Sequence, residues 1–258
     1  MRLMKRILSA AAVLALSASL LVGCSSGTAS SVPVSASSAA ESTVSSVEET
    51  ASSAVDENEA AAAQLLNDLT GSYQELWPVI LADEYKQTWL DDCTALVGED
   101  NAEAAFEKLS SMVTGDVYGE DAVKAYANGG GAYFCVFTNS LAILTFDGET
   151  STISGTDKDG NVLFSHTYHY IGMEPVRGLY EFQSDDADSG EFTYFFLAPD
   201  TSAETYHIEF RYGSDAEALS QYDAGEYAYW VASGISTDCD QTMIDNCIEL
   251  FCTENLAG

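Results

Sequence analysis

Basic side chains are scarce in this sequence. The 258 residues contain 9 Lys and Arg against 41 Asp and Glu, a formal net charge of −32. Nucleic-acid binding is therefore excluded, because it depends on cationic side chains that displace phosphate counterions. A field of this sign attracts cations, including divalent metals, although acidity also serves the solubility of exported proteins.

Catalytic motifs are also absent. The chain has no GxSxG elbow, no HExxH helix and no phosphate-binding loop, and its glycine run Gly129–Gly131 precedes a predicted strand rather than a helix. We therefore expect a protein that is not an enzyme. The five cysteines after Cys24 form no CxxC pair, which argues against a cysteine zinc cluster.

The first 57 residues predict export and attachment. Arg2, Lys5 and Arg6 precede an apolar run that ends at Cys24, as in a secretory signal. Leu21–Cys24 resembles the lipobox of bacterial lipoproteins, so residues 1–23 are a predicted signal peptide and Cys24 a predicted lipidation site. The alternative is an uncleaved anchor. Residues 24–57 are rich in Ser and Ala, which predicts a disordered tether. Residues 58–258 are predicted to form a folded domain.

The folded region changes character near the glycine run. Before it, apolar residues recur at helical spacing. After it we predict seven strands, listed here: 133–138, 141–146, 152–155, 162–170, 178–183, 192–197 and 205–212. The sequence TDKDG between two of them predicts a hairpin turn rather than a calcium loop. Helices are predicted at 216–222 and 241–254. This order predicts a mainly β domain, a barrel or sandwich with N-terminal and C-terminal helices.

The three histidines are the candidate metal ligands. His166 and His169 are three apart in a predicted strand and should point to opposite faces, so a site using both is not expected. One of them joining His207, with Glu209 and Glu204 completing the shell, is the predicted metal site. The alternative for His166 and His169 is an ordinary strand histidine.

Several segments together resemble the ZinT (YodA) family. They are, in order, Gly71–Pro78 (GSYQELWP), Tyr168–Tyr170, Val176–Phe182 (VRGLYEF), Ala198-Pro199, Tyr206–Ile208 and Tyr212–Asp215. The resemblance implies a lipocalin-like (calycin-like) antiparallel barrel that binds Zn²⁺ outside the cytoplasm and assists a metal ABC importer or its binding protein. It also implies three histidine ligands, at positions held here by Phe195, Thr205 and His207. Zinc binding is thus expected at a weakened or rebuilt site.

The stretch TYHIEFRYG, Thr205 to Gly213, poses one further question. Strand alternation puts Tyr206, Ile208, Phe210 and Tyr212 in the core and leaves the intervening row in solvent, whereas the resemblance turns that row toward the barrel mouth. We expect a pocket there, lined by Phe195 and Thr205.

The complete prediction is a monomeric zinc-binding protein, lipid-anchored through Cys24 on the outer side of the bacterial cytoplasmic membrane. The alternative is a lipocalin-like module that has lost metal binding and holds a small apolar ligand or an envelope partner. Its motivation is the aromatic content of the strands, which ordinary core packing would also explain.

Overall fold

The computed structural model describes residues 57–113, 117–125, 132–198 and 207–256. The predicted signal peptide, the lipidation site Cys24 and the tether up to residue 56 lie outside these ranges, as do Glu204 and Thr205. Within them, no helix combines the length and the apolarity needed to cross a membrane.

Eight antiparallel strands form a closed barrel. Each strand pairs with the next in sequence, and the last pairs with the first. The strands are β1 (Gly71–Glu75), β2 (Ile143–Asp147), β3 (Thr152–Thr156), β4 (Val162–Met173), β5 (Tyr180–Ser184), β6 (Tyr194–Leu197), β7 (His207–Gly213) and β8 (Ala232–Ser236). The predicted mainly β barrel with flanking helices is therefore confirmed.

Aromatic rings fill the inside of the barrel. Residues of alternate strand positions point inward, and five of the aromatic ones are no more than 1% exposed: Phe146, Phe182, Phe195, Phe210 and Tyr212. Ring centroids of Phe195 and Tyr212 are 5.4 Å apart, and those of Phe210 and Tyr212 are 5.8 Å apart. The aromatic residues that suggested a ligand inside the barrel thus pack against one another as core.

The helices divide between two apolar cores. The apolar residues of α1 (residues 57–68) and α6 (Ala216–Leu219) pack into the barrel core. The other helices form a layer with a separate apolar core; they are α2 (Leu76–Ile80), α3 (Lys86–Val97), α4 (Glu99–Val113), α5 (Glu120–Ala125) and α7 (Gln241–Leu256). Trp89, Leu109, Ile244 and Ile248 belong to this core, each no more than 4% exposed. The predicted C-terminal helix packs against α3, and its buried residues are Ile244, Cys247, Ile248 and Cys252.

Two strands were not predicted. β1 lies within the region that was predicted to be helical. Its sequence GSYQE is polar and runs directly into α2, which is why no strand was predicted there. β8 has the sequence ASGIS, whose small residues have weak strand preference, and its five positions are all buried. Conversely, residues 133–138 form no named strand; the segment contributes a single bridge, between Phe134 and Trp230.

The turn between β3 and β4 has the predicted hairpin form. Asp157 accepts hydrogen bonds from the backbone N–H groups of Asp159 and Asn161, each at 2.9 Å, and from the side-chain amide of Asn161. Gly160 follows with φ of +80°, a conformation that glycine adopts without strain. The aspartate therefore shapes a turn and is not a calcium ligand.

Candidate functional site

A small cleft lies on the outside of the barrel, where β7 meets α2 and α7. Its volume is about 80 Å³, and it is lined by Leu76, Trp77, Ile80, His207, Glu209, Cys247, Leu250, Phe251 and Glu254. This volume accommodates an ion with a few waters, whereas sites for drug-sized molecules measure roughly 300 to 1,000 Å³. The lining combines an imidazole, two carboxylates and a thiol with apolar walls.

β7 presents His207 and Glu209 to this cleft through strand alternation. Ile208, Phe210 and Tyr212 are buried inside the barrel, so His207 and Glu209 project from the outer face. His207 is half-buried and Glu209 is exposed. The predicted orientation toward the barrel mouth is therefore wrong: the row points outward, although α2 and α7 cover part of it and leave a cleft.

Arg211, the third outer residue of β7, has a structural role. It is fully buried, and its guanidinium donates to the backbone carbonyls of Leu219 and Tyr227. The guanidinium also lies over the ring of Tyr222, 4.3 Å from its centroid. Burial lowers the pKa of Arg211. Arg211 thus holds the segment after α6 against the barrel and does not line the cleft.

Two of the polar residues in the cleft come from α7 and were not predicted. Cys247, Phe251 and Glu254 are spaced by four and three residues, so they share one face of the helix. The same spacing is visible in the sequence. Burial, with smaller contributions from the charges of Cys239 and Glu254, raises the pKa of the Cys247 thiol to about 12. The thiol is therefore protonated at neutral pH.

The charge of Glu209 also acts on a second thiol, that of the half-buried Cys135. Burial raises the pKa of Cys135 to about 12, and the charge of Glu209 contributes to the same shift. Both thiols are thus disfavoured as anions, first because of burial and second because of the nearby carboxylates Glu209 and Glu254.

The other two histidines lie on β4, away from the cleft. Nδ1 of His166 is 2.7 Å from Oδ2 of Asp186, and Nδ1 of His169 is 2.6 Å from Oδ1 of Asp185. His166 packs beside the inward-facing Phe164, with ring centroids 5.9 Å apart, whereas the side chain of His169 is 53% exposed. The two histidines therefore occupy different surroundings, and the structure brings neither into the cleft with His207.

Phe195 does not line the cleft, which corrects its prediction as a pocket residue. It pairs across the sheet with Tyr212, and directly paired residues point to the same face. Tyr212 is five positions from His207 on β7, so Phe195 and His207 point to opposite sides of the barrel wall. The neighbour Phe196 pairs with Arg211 and takes the outer face. The ligand position inferred for Phe195 thus falls on the wrong side of the strand.

The three-histidine arrangement implied by the sequence resemblance is not reproduced. Phe195 is inside the barrel, His207 is outside it, and Thr205 and Glu204 lie outside the described residues. Across the described ranges, no group of three or more His, Cys, Asp or Glu side chains is arranged to hold a metal ion. The cleft therefore contains donor groups, but they are not arranged to coordinate a metal ion.

Fold and cleft together define a closed eight-stranded antiparallel barrel with flanking helices and an acidic outer cleft. No protein-family model matches the chain, and no curated protein matches its sequence. Among solved structures, the Zn(II)-bound ZinT-like domain of Streptococcus pneumoniae AdcA is similar, with 15% identity over 71% of this chain and 89% of that domain and a TM-score of 0.45. Zn(II)-bound AdcA from the same organism is similar at 14% identity, with a TM-score of 0.40. The match covers 75% of this chain but 35% of AdcA.

Proposed function

We propose that this protein binds one divalent metal ion, zinc in the first place, in the cleft between β7, α2 and α7, and that it is not an enzyme. The observation that carries the proposal is the meeting of His207 and Glu209 from β7 with Glu254 from α7 around a volume of about 80 Å³. Imidazole nitrogen and carboxylate oxygen are common ligands of zinc and related divalent metals.

The binding would be weaker than at a preset three-histidine site. The donors have to turn toward the ion, since the described side chains are not already arranged for coordination. That rearrangement costs part of the binding free energy. Cys247 is a further donor within the cleft, and its use would release a proton because the thiol pKa is about 12. Affinity that depends on Cys247 therefore increases with pH.

The proposal extends to location and partner. A lipid attached to Cys24 would hold the domain on the outer side of the bacterial cytoplasmic membrane, and residues 24–57 would serve as a tether. The support for this part is the sequence alone: a basic start, an apolar run and the lipobox-like Leu21–Cys24. A monomer in this position would supply its ion to a metal ABC importer or to the importer's binding protein.

A calorimetric titration with Zn²⁺ tests the metal site. The full-length chain is compared with His207→Ala and with His169→Ala, which removes an exposed imidazole away from the cleft. We expect one site per chain, with affinity reduced at least about tenfold in His207→Ala and unchanged in His169→Ala. Equal affinity in all three proteins, or several weak sites in each, would contradict the proposal.

A second candidate function is suggested by a larger cleft beneath the β3–β4 turn. Its volume is about 500 Å³, within the range of small-molecule sites. The lining mixes apolar and polar side chains, including Val79, Leu141, Ala142, Glu75 and Lys158. If the chain binds a small organic ligand, this cleft suits it better than the filled barrel. A native mass spectrum with a bound organic mass that is lost in Ala142→Trp would support this alternative, and a spectrum of unliganded protein would count against it.

A further inference from the structure

Two cysteines from different helices meet in the core of the helical layer. Cys93 on α3 and Cys252 on α7 are both 0% exposed, and their Sγ atoms are 4.0 Å apart. Of the five cysteines in the described ranges, these two have their sulfur atoms in direct contact. The other three are Cys135, Cys239 and Cys247, and none of these five described cysteines forms a disulfide in the structure.

We propose that Cys93 and Cys252 are a disulfide site, which joins α3 to α7 when the chain folds under oxidising conditions. A disulfide requires a sulfur–sulfur distance of about 2.05 Å, so the two sulfurs must approach by about 2 Å. Side-chain rotation and a small shift of α7 supply this movement. The bond does not depend on metal binding in the cleft.

The reaction is an exchange with a disulfide oxidant, either a small molecule such as oxidised glutathione or a protein disulfide. One cysteine thiolate attacks the oxidant, which forms a mixed disulfide and releases one thiol. The second cysteine thiolate then attacks the protein sulfur of the mixed disulfide and releases the other thiol. Two electrons pass from the cysteine pair to the oxidant, and the two protons end on its thiols.

The burial of the pair determines when this exchange occurs. Burial raises the thiol pKa of both Cys93 and Cys252, so the folded protein contains very little of the reactive thiolate. Exchange is therefore expected while α7 is still docking, and the completed bond is then shielded from reductants. Fully folded, reduced protein should oxidise slowly.

The bond would constrain a large part of the chain. Cys93 and Cys252 are 159 residues apart, so the closed loop includes all strands except β1. Constraining a long loop removes more entropy from the unfolded state than constraining a short one. The bond would also fix α7, which carries Cys247 and Glu254 of the cleft, against α3.

The test is refolding of the full-length chain in a glutathione redox buffer, followed by alkylation of free thiols and peptide mapping under non-reducing conditions. We expect a Cys93–Cys252 peptide, with the other four cysteines, Cys24, Cys135, Cys239 and Cys247, alkylated. Addition of dithiothreitol during refolding should lower the Tm by about 5 to 15 °C. Cys93→Ala should remove this dependence on reductant, and Cys239→Ala should retain it.

Several results would overturn the proposal. They are alkylation of both Cys93 and Cys252, a disulfide to any other cysteine in place of this one, and an equal Tm for wild-type protein refolded with and without reductant. The wild-type comparison remains decisive even if Cys93→Ala does not fold.

Discussion

Replacing Phe195 distinguishes a core residue from a residue that lines a binding site. The Phe195 ring is fully buried inside the barrel, with centroids 5.4 Å from those of Tyr168 and Tyr212 and 5.8 Å from that of Phe164. Phe195→Ala would remove these ring contacts and leave a cavity within the closed sheet. Metal binding in the outer cleft should be unaffected, because Phe195 points to the other side of the wall.

The expected loss for Phe195→Ala is about 3 to 5 kcal/mol in the free energy of unfolding, the usual range for truncating a buried aromatic ring. If the denaturant slope is about 2 kcal/mol/M, the urea midpoint falls by about 1.5 to 2.5 M. Leu163→Ala is the control, because Leu163 on β4 is 36% exposed and its truncation should cost less than about 1 kcal/mol. Phe195→Leu, which keeps most of the apolar volume, serves if the alanine variant does not fold.

The assay is urea unfolding followed by circular dichroism, combined with a zinc titration of each folded variant. A loss below about 1 kcal/mol for Phe195→Ala would refute the argument that this ring is a central part of the core. Phe195→His is a further check, since the sequence resemblance would predict stronger zinc binding from it. The structure predicts lower stability and no gain in zinc affinity.

Two other substitutions test the packing of the barrel. A Cβ at Gly148 would lie 2.4 Å from Cα of Asn67, so Gly148→Ala should displace α1 and lower stability by about 1 to 3 kcal/mol, measurable by thermal unfolding; an unchanged Tm would refute the close approach of α1. Tyr212 accepts from the backbone N–H of Thr138 and donates to its carbonyl, so Tyr212→Phe should cost about 1 to 3 kcal/mol. Burial raises the pKa of the Tyr212 phenol to about 12, from an ordinary value of 10.0. The unfolded protein therefore loses this proton at a lower pH than the folded protein does. The contribution of Tyr212 to stability is complete below pH 10 and declines above it. The measurement is the free energy of unfolding of the wild type and of Tyr212→Phe from pH 9 to 11.5. A wild-type value that declines no more steeply with pH than that of Tyr212→Phe would contradict this.

The barrel could be predicted from the sequence where the strands alternate clearly. Strands such as β4 and β7 carry bulky residues at every second position, and Asp157 and Gly160 identify the turn between β3 and β4. β1 and β8 lack this pattern. They become strands because they pair with each other and close the barrel. This pairing is a tertiary interaction, so the local strand preference of either segment does not predict it.

The cleft could be predicted in part. His207 and Glu209 were identified from the sequence of β7. Whether they point into or out of the barrel depends on which alternate positions of the strand face inward, and the helices that cover them are distant in sequence. Glu254 and Cys247 required the docking of α7, although their spacing on one helical face was visible. Phe195 was misplaced because a shift of one residue in a strand exchanges the inner and outer faces.

The most direct test of metal binding in the outer cleft is an anomalous difference map, collected at the zinc absorption edge from crystals of the protein soaked with zinc. We expect a single strong peak between β7 and α7, about 2.0 to 2.1 Å from a ring nitrogen of His207, with the carboxylates of Glu209 or Glu254 turned toward it. A strong peak at His166 and Asp186, at His169 and Asp185, or only at scattered surface carboxylates would contradict the account.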